Sequence, residues 1–402
     1  VYACEIVSQQ ISSTASGSDL KDLILAENNL GTLDGVVLIG DLPSGWFEID
    51  NDFNIYGYKD FPCDLYLMDL DGTWIDSDQN GKYESHTGEV EPELFVGRIS
   101  TANMGTLVEE IQGMREYLDK NHDFWTGVTV VNRLKGLTYT DEDWIPYDDM
   151  VNDIQYLYGL DYDAITYGDG FFGKTDYLDR LNNETYEFVQ LACHSAWYFH
   201  QMSGGNIFTS EIFNIPPKSI AYNLFCCSGC RWTDAGSSST GFLGGVYVYN
   251  SDSKAMVATG STKTGSMLGF SYFYSHLLSD KVFGTALKNW WIDYVGPSHD
   301  FDETCWFYGM SIIGDPMINP MYDAETNLIP PQNIGISQSG NDMLVNWDAV
   351  PNANTYTIYS SSDPNAEFPI GWTLEQDKIA VTNWVDVNAV LSRKFYIIIS
   401  VN

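Results

Sequence analysis

Basic residues are scarce in this 402-residue chain: 19 Lys and Arg stand against 55 Asp and Glu, a formal net charge of −36. That balance disfavours a nucleic-acid partner, because phosphate contacts need a basic surface. Cysteine is scarce too: seven of them, an odd number, make no disulfide framework and leave at least one thiol unpaired within the chain. No uncharged apolar run reaches the roughly 18 residues of a membrane span, and no charged-then-apolar leader opens the sequence. The chain starts at Val1 without a methionine, so a processed or trimmed piece, held to another fragment, is expected. Core-forming material is plentiful: 44% of residues are hydrophobic, with 20 Phe, 26 Tyr and 12 Trp, more than a disordered chain offers. At this length two or three packed units are expected.

Leu20, Leu23, Ile24 and Leu30 lie at helical spacing behind Ser18, with Gly31 as the stop, and predict a helix. Gly35-Val-Val-Leu-Ile-Gly40 reads as a strand buried on both faces of a parallel sheet. A helix over Ala102 to Lys120 would place Met104, Leu107, Val108, Ile111, Met114 and Leu118 on one face. Further strands are expected at Val128 to Val131, Phe188 to Ala192, Ile220 to Phe225, Ala255 to Ala258 and around Phe307 to Ile313, with a helix near Val282 to Tyr294. Such alternation implies an α/β fold, a mostly parallel sheet flanked by helices, whose sites form beyond the carboxyl ends of the strands.

From Pro330-Pro331 the pattern changes to short strands and turns: Ile334 to Ile336, Met343 to Trp347, Thr355 to Tyr359 and Phe395 to Val401. This spacing suits an all-β, immunoglobulin-like sandwich, and the Trp347 and Tyr356-Thr-Ile-Tyr359 strands resemble a fibronectin type III module. At most six strands fit, short of a whole sandwich, so the natural chain is expected to continue.

Two strand ends carry chemistry. Val189-Gln-Leu-Ala-Cys-His194-Ser195 ends in an imidazole, and Leu224-Phe-Cys-Cys227-Ser228-Gly229 ends in a thiol followed by small residues. A thiol attacks a carbonyl as thiolate, which a neighbouring His provides. Small residues after the thiol let a substrate backbone approach main-chain N–H groups that hold an oxyanion. His194 and Cys227 are 33 residues apart, fitting two strands joined by a crossover.

Here the sequence resembles the gingipain-type cysteine peptidases, family C25 of the caspase-like clan, over most of residues 1 to 322. The matching pieces are Leu38-Ile-Gly-Asp41, Asp64 to Trp74, Val96-Gly-Arg-Ile99, His194-Ser195, Asn223 to Ser228, Gly260-Ser-Thr262 and Gly314-Asp-Pro316. The resemblance implies two peptidase subdomains (1–120 and 121–325) before the sandwich (330–402), and a secreted endopeptidase acting on proteins or peptides. It places the nucleophile on Cys227, ahead of Cys226, and the catalytic base on His194. The orienting carboxylate stays open among Glu142, Asp143 and Glu187. Ser195, Ser228 and Gly229 are candidates for the oxyanion and substrate-binding region. Ser261 and Met267 are candidates in the loop that walls the substrate pocket of similar enzymes. The runs Asp141-Glu-Asp143 and Asp148-Asp149 read as solvated faces, or as one wall of a pocket for the basic side chains that the best-known relatives accept.

Asp76-Ser-Asp78-Gln-Asn80-Gly81-Lys82-Tyr-Glu84 has oxygen ligands at alternate positions and Gly at the sixth, the first half of an EF-hand-type loop. Thr87 stands where that frame wants Glu, so Asp71 or later acids would complete a Ca2+ site. The plain alternative is an acidic turn held by Asx hydrogen bonds. Calcium would fit an extracellular or cell-surface setting. Two rivals to the peptidase stand: a catalytically inactive caspase-like scaffold or adhesion protein, and a zinc or thiol-redox protein built on Cys227 and Cys230. Cys4, Cys63 and Cys305 read as buried, with room for one disulfide among them, and His200 reads as a histidine packed on aromatics.

Overall fold

The computed structural model describes residues 6–31, 33–126, 128, 135–237, 240–279, 281–296, 299–320, 330–350, 353–366, 371–391 and 393–401. Residues 9–121 and 131–321 form one compact unit, and residues 330–401 belong to a second.

The first unit is built on eight strands: β1 (Gly35–Ile39), β2 (Phe95–Ile99), β3 (Gly136–Thr140), β4 (Tyr162–Thr166), β5 (Phe188–Ala192), β6 (Ala221–Phe225), β7 (Val257–Ser261) and β8 (Met310–Gly314). Their spatial order is β1-β2-β8-β7-β6-β5-β3-β4. All neighbours run parallel except β7 and β8. The β2–β8 junction is a single residue pair, Arg98 opposite Ile313, so the strands from before residue 120 hang on a narrow seam. Beneath that seam Arg98 forks onto Asp64 at 2.6 to 3.0 Å, with both side chains buried.

Helices cover both faces, as a parallel sheet requires. On one face Tyr177 and Leu181 of α3 (Lys174–Asn183) and Val246 and Tyr247 of α4 (Leu243–Tyr249) share a core with Tyr139, Leu191 and Tyr222 of the sheet. On the other, the Phe188 ring meets Tyr274 of α5 (Phe270–Leu278) at 5.5 Å and Phe283 of α6 (Phe283–Trp290) at 6.3 Å. Every residue of β5, β6 and β7 is buried, as their mostly apolar runs predict.

Local expectations needed correction where tertiary context overrode the pattern. Helix α1 (Gly17–Asn28) is capped by Ser16, not Ser18: Ser16 Oγ accepts the Asp19 N–H and Asp19 Oδ2 accepts the Ser16 N–H, a reciprocal box contributing about 1 kcal/mol. Among the described residues β1 is an edge strand, and Val37 and Ile39 on it are exposed. Of the face expected around α2 (Leu107–Trp125), Leu107, Val108, Ile111 and Leu118 are exposed, Met104 and Met114 pack partly on the core, and Tyr117 and Phe124 are buried. The strand expected over 128–131 lies largely outside the described residues, and so does Cys4. Cys63 and Cys305 are buried free thiols.

The second unit has two three-stranded antiparallel sheets, Gly335–Ser339, Asp342–Asn346 and Asn383–Asp386 in one, Thr373–Ile379, Thr355–Ser361 and Phe395–Val401 in the other. Val345, Trp347, Val350, Tyr356, Ile358 and Ile398 form its core.

Candidate active site

β5 and β6 are adjacent and parallel, with Phe225 opposite Ala192. Their carboxyl ends therefore deliver His194 and Cys227 to the same rim of the sheet. Both line one cleft of about 580 Å³, together with Trp144, Thr264, Gly265 and Trp306. Both candidate thiols, Cys226 and Cys227, line this cleft, and burial is what distinguishes them. Cys226 is buried, and burial pushes its thiol up to about 12. Cys227 keeps partial exposure. Burial raises its thiol as well, offset by the Gly265 N–H and the nearby Lys263 ammonium, while Asp52 works the other way.

Asp143 is the carboxylate on the histidine: its Oδ2 lies 2.8 Å from His194 Nε2. With Asp143 ionised, Nε2 carries the proton and Nδ1 is left for the thiol or substrate. Trp144, next in sequence, sets its ring 5.7 Å from the imidazole and 4.7 Å from Phe225, which fixes the loop after β3 against the cleft. Glu187 is buried at the other end of β5, where its main chain pairs with Lys135 and Ile220, so it does not orient His194.

The expected oxyanion donors divide. Ser228 has φ +58°, a left-handed conformation uncommon outside Gly, and its N–H donates to the Lys263 carbonyl at 2.8 Å. The Gly229 N–H faces the Cys226 thiol, and Ser195 Oγ donates to the Cys227 carbonyl at 2.6 Å. Among the described residues, the Cys227 N–H makes no hydrogen bond, so it is the donor still available. Ser261 and Met267 are fully buried and do not line the cleft: Ser261 Oγ accepts the Lys263 N–H and Met267 Sδ accepts from Asn223. Thr264, Gly265 and Ser266, between them in sequence, form that wall. Gly265 stands at φ +110°, where a Cβ would sit 2.7 Å from the Trp306 carbonyl, so only glycine closes this wall.

Sequence reasoning missed Lys263 and Asp52. Lys263 Nζ lies 2.9 Å from Asp52 Oδ1 and also donates to the carbonyls of Thr264 and Cys305. The pair is buried beside Cys227. A Lys between Thr262 and Thr264 in a loop after a buried strand was the available signal. His200 is buried away from the cleft, with ring nitrogens on Cys193 Sγ (3.4 Å) and Tyr247 OH (3.1 Å), and burial holds its pKa down at about 3.

The acidic loop closes on itself. Asp76 and Asp78 carboxylates accept the main-chain N–H groups of Asn80 and Gly81, Asn80 Oδ1 accepts from Lys82, and Glu84 accepts from Ser77. The Lys82 ammonium turns to Asp60 and Tyr58. Asp71 does not join this loop: it sits with Asp69 and Glu93, whose ligand atoms lie within 4.8 Å of one another. Cys230 is buried against Gly244 and Gly260, away from the Cys227 cleft, and no metal-holding group among the described residues includes either cysteine.

The helix-flanked, mostly parallel sheet is similar in fold to the gingipain cysteine proteinases. Among solved structures the chain is similar to the Arg-specific cysteine proteinase gingipain R (RgpB), with 13% identity over 98% of this chain and 90% of that one, and a TM-score of 0.52. It is similar to a structure described as a protease, with 14% identity over 95% of this chain and 88% of that one, TM-score 0.55. It is also similar to the complex of Porphyromonas gingivalis RgpB pro- and mature domains, with 13% identity over 96% of this chain and 90% of that one, TM-score 0.50. No protein-family model matches the sequence. No curated protein matches it. The likeness is one of fold.

Proposed function

We propose that the chain is a cysteine endopeptidase in which Cys227 and His194 form the catalytic dyad. The observation that carries this reading is their shared cleft, with His194 held by Asp143 at 2.8 Å. No hydrogen bond joins Cys227 to His194; both await a substrate, as the long catalytic contacts of free enzymes commonly do. Cys227 Sγ attacks the scissile carbonyl carbon, and the Cys227 N–H stabilises the oxyanion. His194, protonated by the thiol, passes that proton to the departing amine as the C–N bond breaks, leaving a thioester. Water then attacks the thioester, His194 takes its proton, and the acid leaves as the thiol is regenerated.

Labelling with peptidyl chloromethyl ketones tests the dyad. Wild type and Cys226→Ala label, while Cys227→Ala does not. Absence of labelling and of peptide hydrolysis in reduced wild type, with and without calcium, would replace the enzyme with the inactive scaffold.

A structural Ca2+ at the Asp76–Glu84 loop belongs to this proposal. Each carboxylate oxygen that accepts an N–H keeps a second lone pair for a hard cation, and Lys82 would contribute its carbonyl. Secretion and a fibronectin type III-like role for residues 330–402 are likewise proposed, on the acidic surface and the two small β-sheets.

A further inference from the structure

The cleft around Cys227 is apolar to an unusual degree for an acidic protein. Phe53, Ile55, Tyr56, Trp144, Phe225 and Trp306 line it, and among the described lining residues none is Asp, Glu, Lys or Arg. The polar lining consists of hydroxyls, thiols, main chain and the His194 imidazole.

Three carboxylates stand close enough to matter, and each is engaged: Asp141, half-buried beside His194, accepts the Glu142 N–H at 2.6 Å. Asp143 holds His194 Nε2 at 2.8 Å. Asp52 is fully buried directly before Phe53, and its carboxylate faces Lys263 Nζ at 2.9 Å. Lys263 is itself fixed by the Thr264 and Cys305 carbonyls, and its ammonium lies 4.9 Å from the centre of the Phe53 ring. One ion pair thus does two things. It ties the 52–56 turn, with Phe53 and Asn54 both at positive φ, to the 264–266 wall, and it neutralises the fully buried Asp52 carboxylate behind the cleft.

A substrate side chain is chosen by what the pocket leaves unpaired. Burying a guanidinium or ammonium without a carboxylate costs several kcal/mol, whereas an apolar ring gains contact with five aromatic walls. The net negative charge of the protein would speed the arrival of basic peptides, but steering acts on encounter and not on the pocket.

We propose that the cleft selects peptides carrying an aromatic or large aliphatic side chain, and that Lys263 sets this preference by occupying Asp52 from within the chain. The proposal rests on the peptidase reading for its meaning, but its pocket chemistry is measured without turnover. Capped tetrapeptides that differ only by Phe, Leu, Arg, Lys or Asp at one position are titrated into the Cys227→Ala chain by calorimetry, and the same set is offered to wild type for hydrolysis.

Phe and Leu peptides bind at least tenfold tighter than Arg or Lys peptides. In Lys263→Met the unpaired Asp52 charge moves the Phe-to-Arg ratio at least tenfold toward Arg. The Asp52→Asn/Lys263→Met double variant, which buries no unpaired charge, keeps the aromatic preference. Arg or Lys peptides binding wild-type pockets as tightly as Phe would overturn the inference, and so would a failure of any peptide to bind. Phe-selective binding without hydrolysis would remove the peptidase and leave the pocket assignment standing.

Discussion

Replacing Asp143 by Ala separates two ways a carboxylate can serve a catalytic histidine. In a buried triad the acid fixes the tautomer in a dry site, and removing it costs on the order of 10⁴-fold, as in the serine peptidases. Here the geometry is as short, 2.8 Å, but the surroundings are wet: the His194 side chain is 46% exposed and the Asp143 side chain 63%. Exposed pairs are screened, and contribute about 0.2–1 kcal/mol. At 1.36 kcal/mol per factor of ten, Asp143→Ala should therefore lower kcat/KM by only about 1.4- to fivefold. The assay is hydrolysis of a Phe-containing fluorogenic peptide at low and high ionic strength. The deficit should be largest at low salt and shrink as the Debye length falls from about 30 Å at 0.01 M to about 3 Å at 1 M. A loss of a thousandfold, insensitive to salt, would refute the reasoning, because it would mean that substrate dries the pair into a triad. Unchanged activity at low salt would show that Asp143 does not orient the ring.

Three further outcomes follow from the burial of single groups. Asp64→Ala strands the Arg98 guanidinium at 3% side-chain exposure and should cost about 3–5 kcal/mol in urea unfolding; less than 1 kcal/mol would mean that the fork is not the clamp on the sheet seam. Burial holds His200 at about 3 against an ordinary 6.5, so the folded state binds fewer protons there. Its contribution is complete above pH 6.5 and is lost as pH falls toward 3, with a slope approaching 1.4 kcal/mol per pH unit. His200→Gln should lose stability less steeply than wild type between pH 6 and 4, and identical slopes would count against the assignment. Calcium in place of a chelator should raise the unfolding temperature of wild type but not of an Asp76→Asn/Asp78→Asn variant; equal shifts in both would move the ion away from that loop.

How far the fold could be read from the sequence depended on burial. The strands at Phe188, Ala221 and Val257 are apolar at every position but a few, because both faces are covered, and such runs leave little choice of element. The edge strand at Gly35 has the same apolar composition yet exposes Val37 and Ile39: composition reports what a segment could bury, and the neighbour that would bury it is set by topology. Helix α2 failed for the same reason. Its Leu107, Val108, Ile111 and Leu118 stripe has ideal spacing, but Tyr117 faces the core, where its hydroxyl reaches the Met256 carbonyl at 2.7 Å and its ring meets Tyr249 at 5.1 Å. One large amphipathic side chain with a buried partner outweighed four aliphatic ones without any.

The site divided along a similar line. The meeting of His194 and Cys227 at one rim was legible because both close apolar runs that read as neighbouring parallel strands. Asp52 and Lys263 were not, since they act across 36 to 211 residues of chain, and nothing local picked Asp143 out from Glu142. The fold brings Asp143 to the exposed side of the imidazole and Lys263 to the buried side of the thiol. The two charges nearest the chemistry therefore differ in kind. The one on His194 works through water and should yield to salt, whereas the one beside Cys227 is sealed from solvent and should not. Any comparison of ionic strength dependence between Asp143→Ala and Lys263→Met tests that difference directly, and a salt-sensitive Lys263→Met phenotype would mean that the pair opens to solvent when substrate is bound.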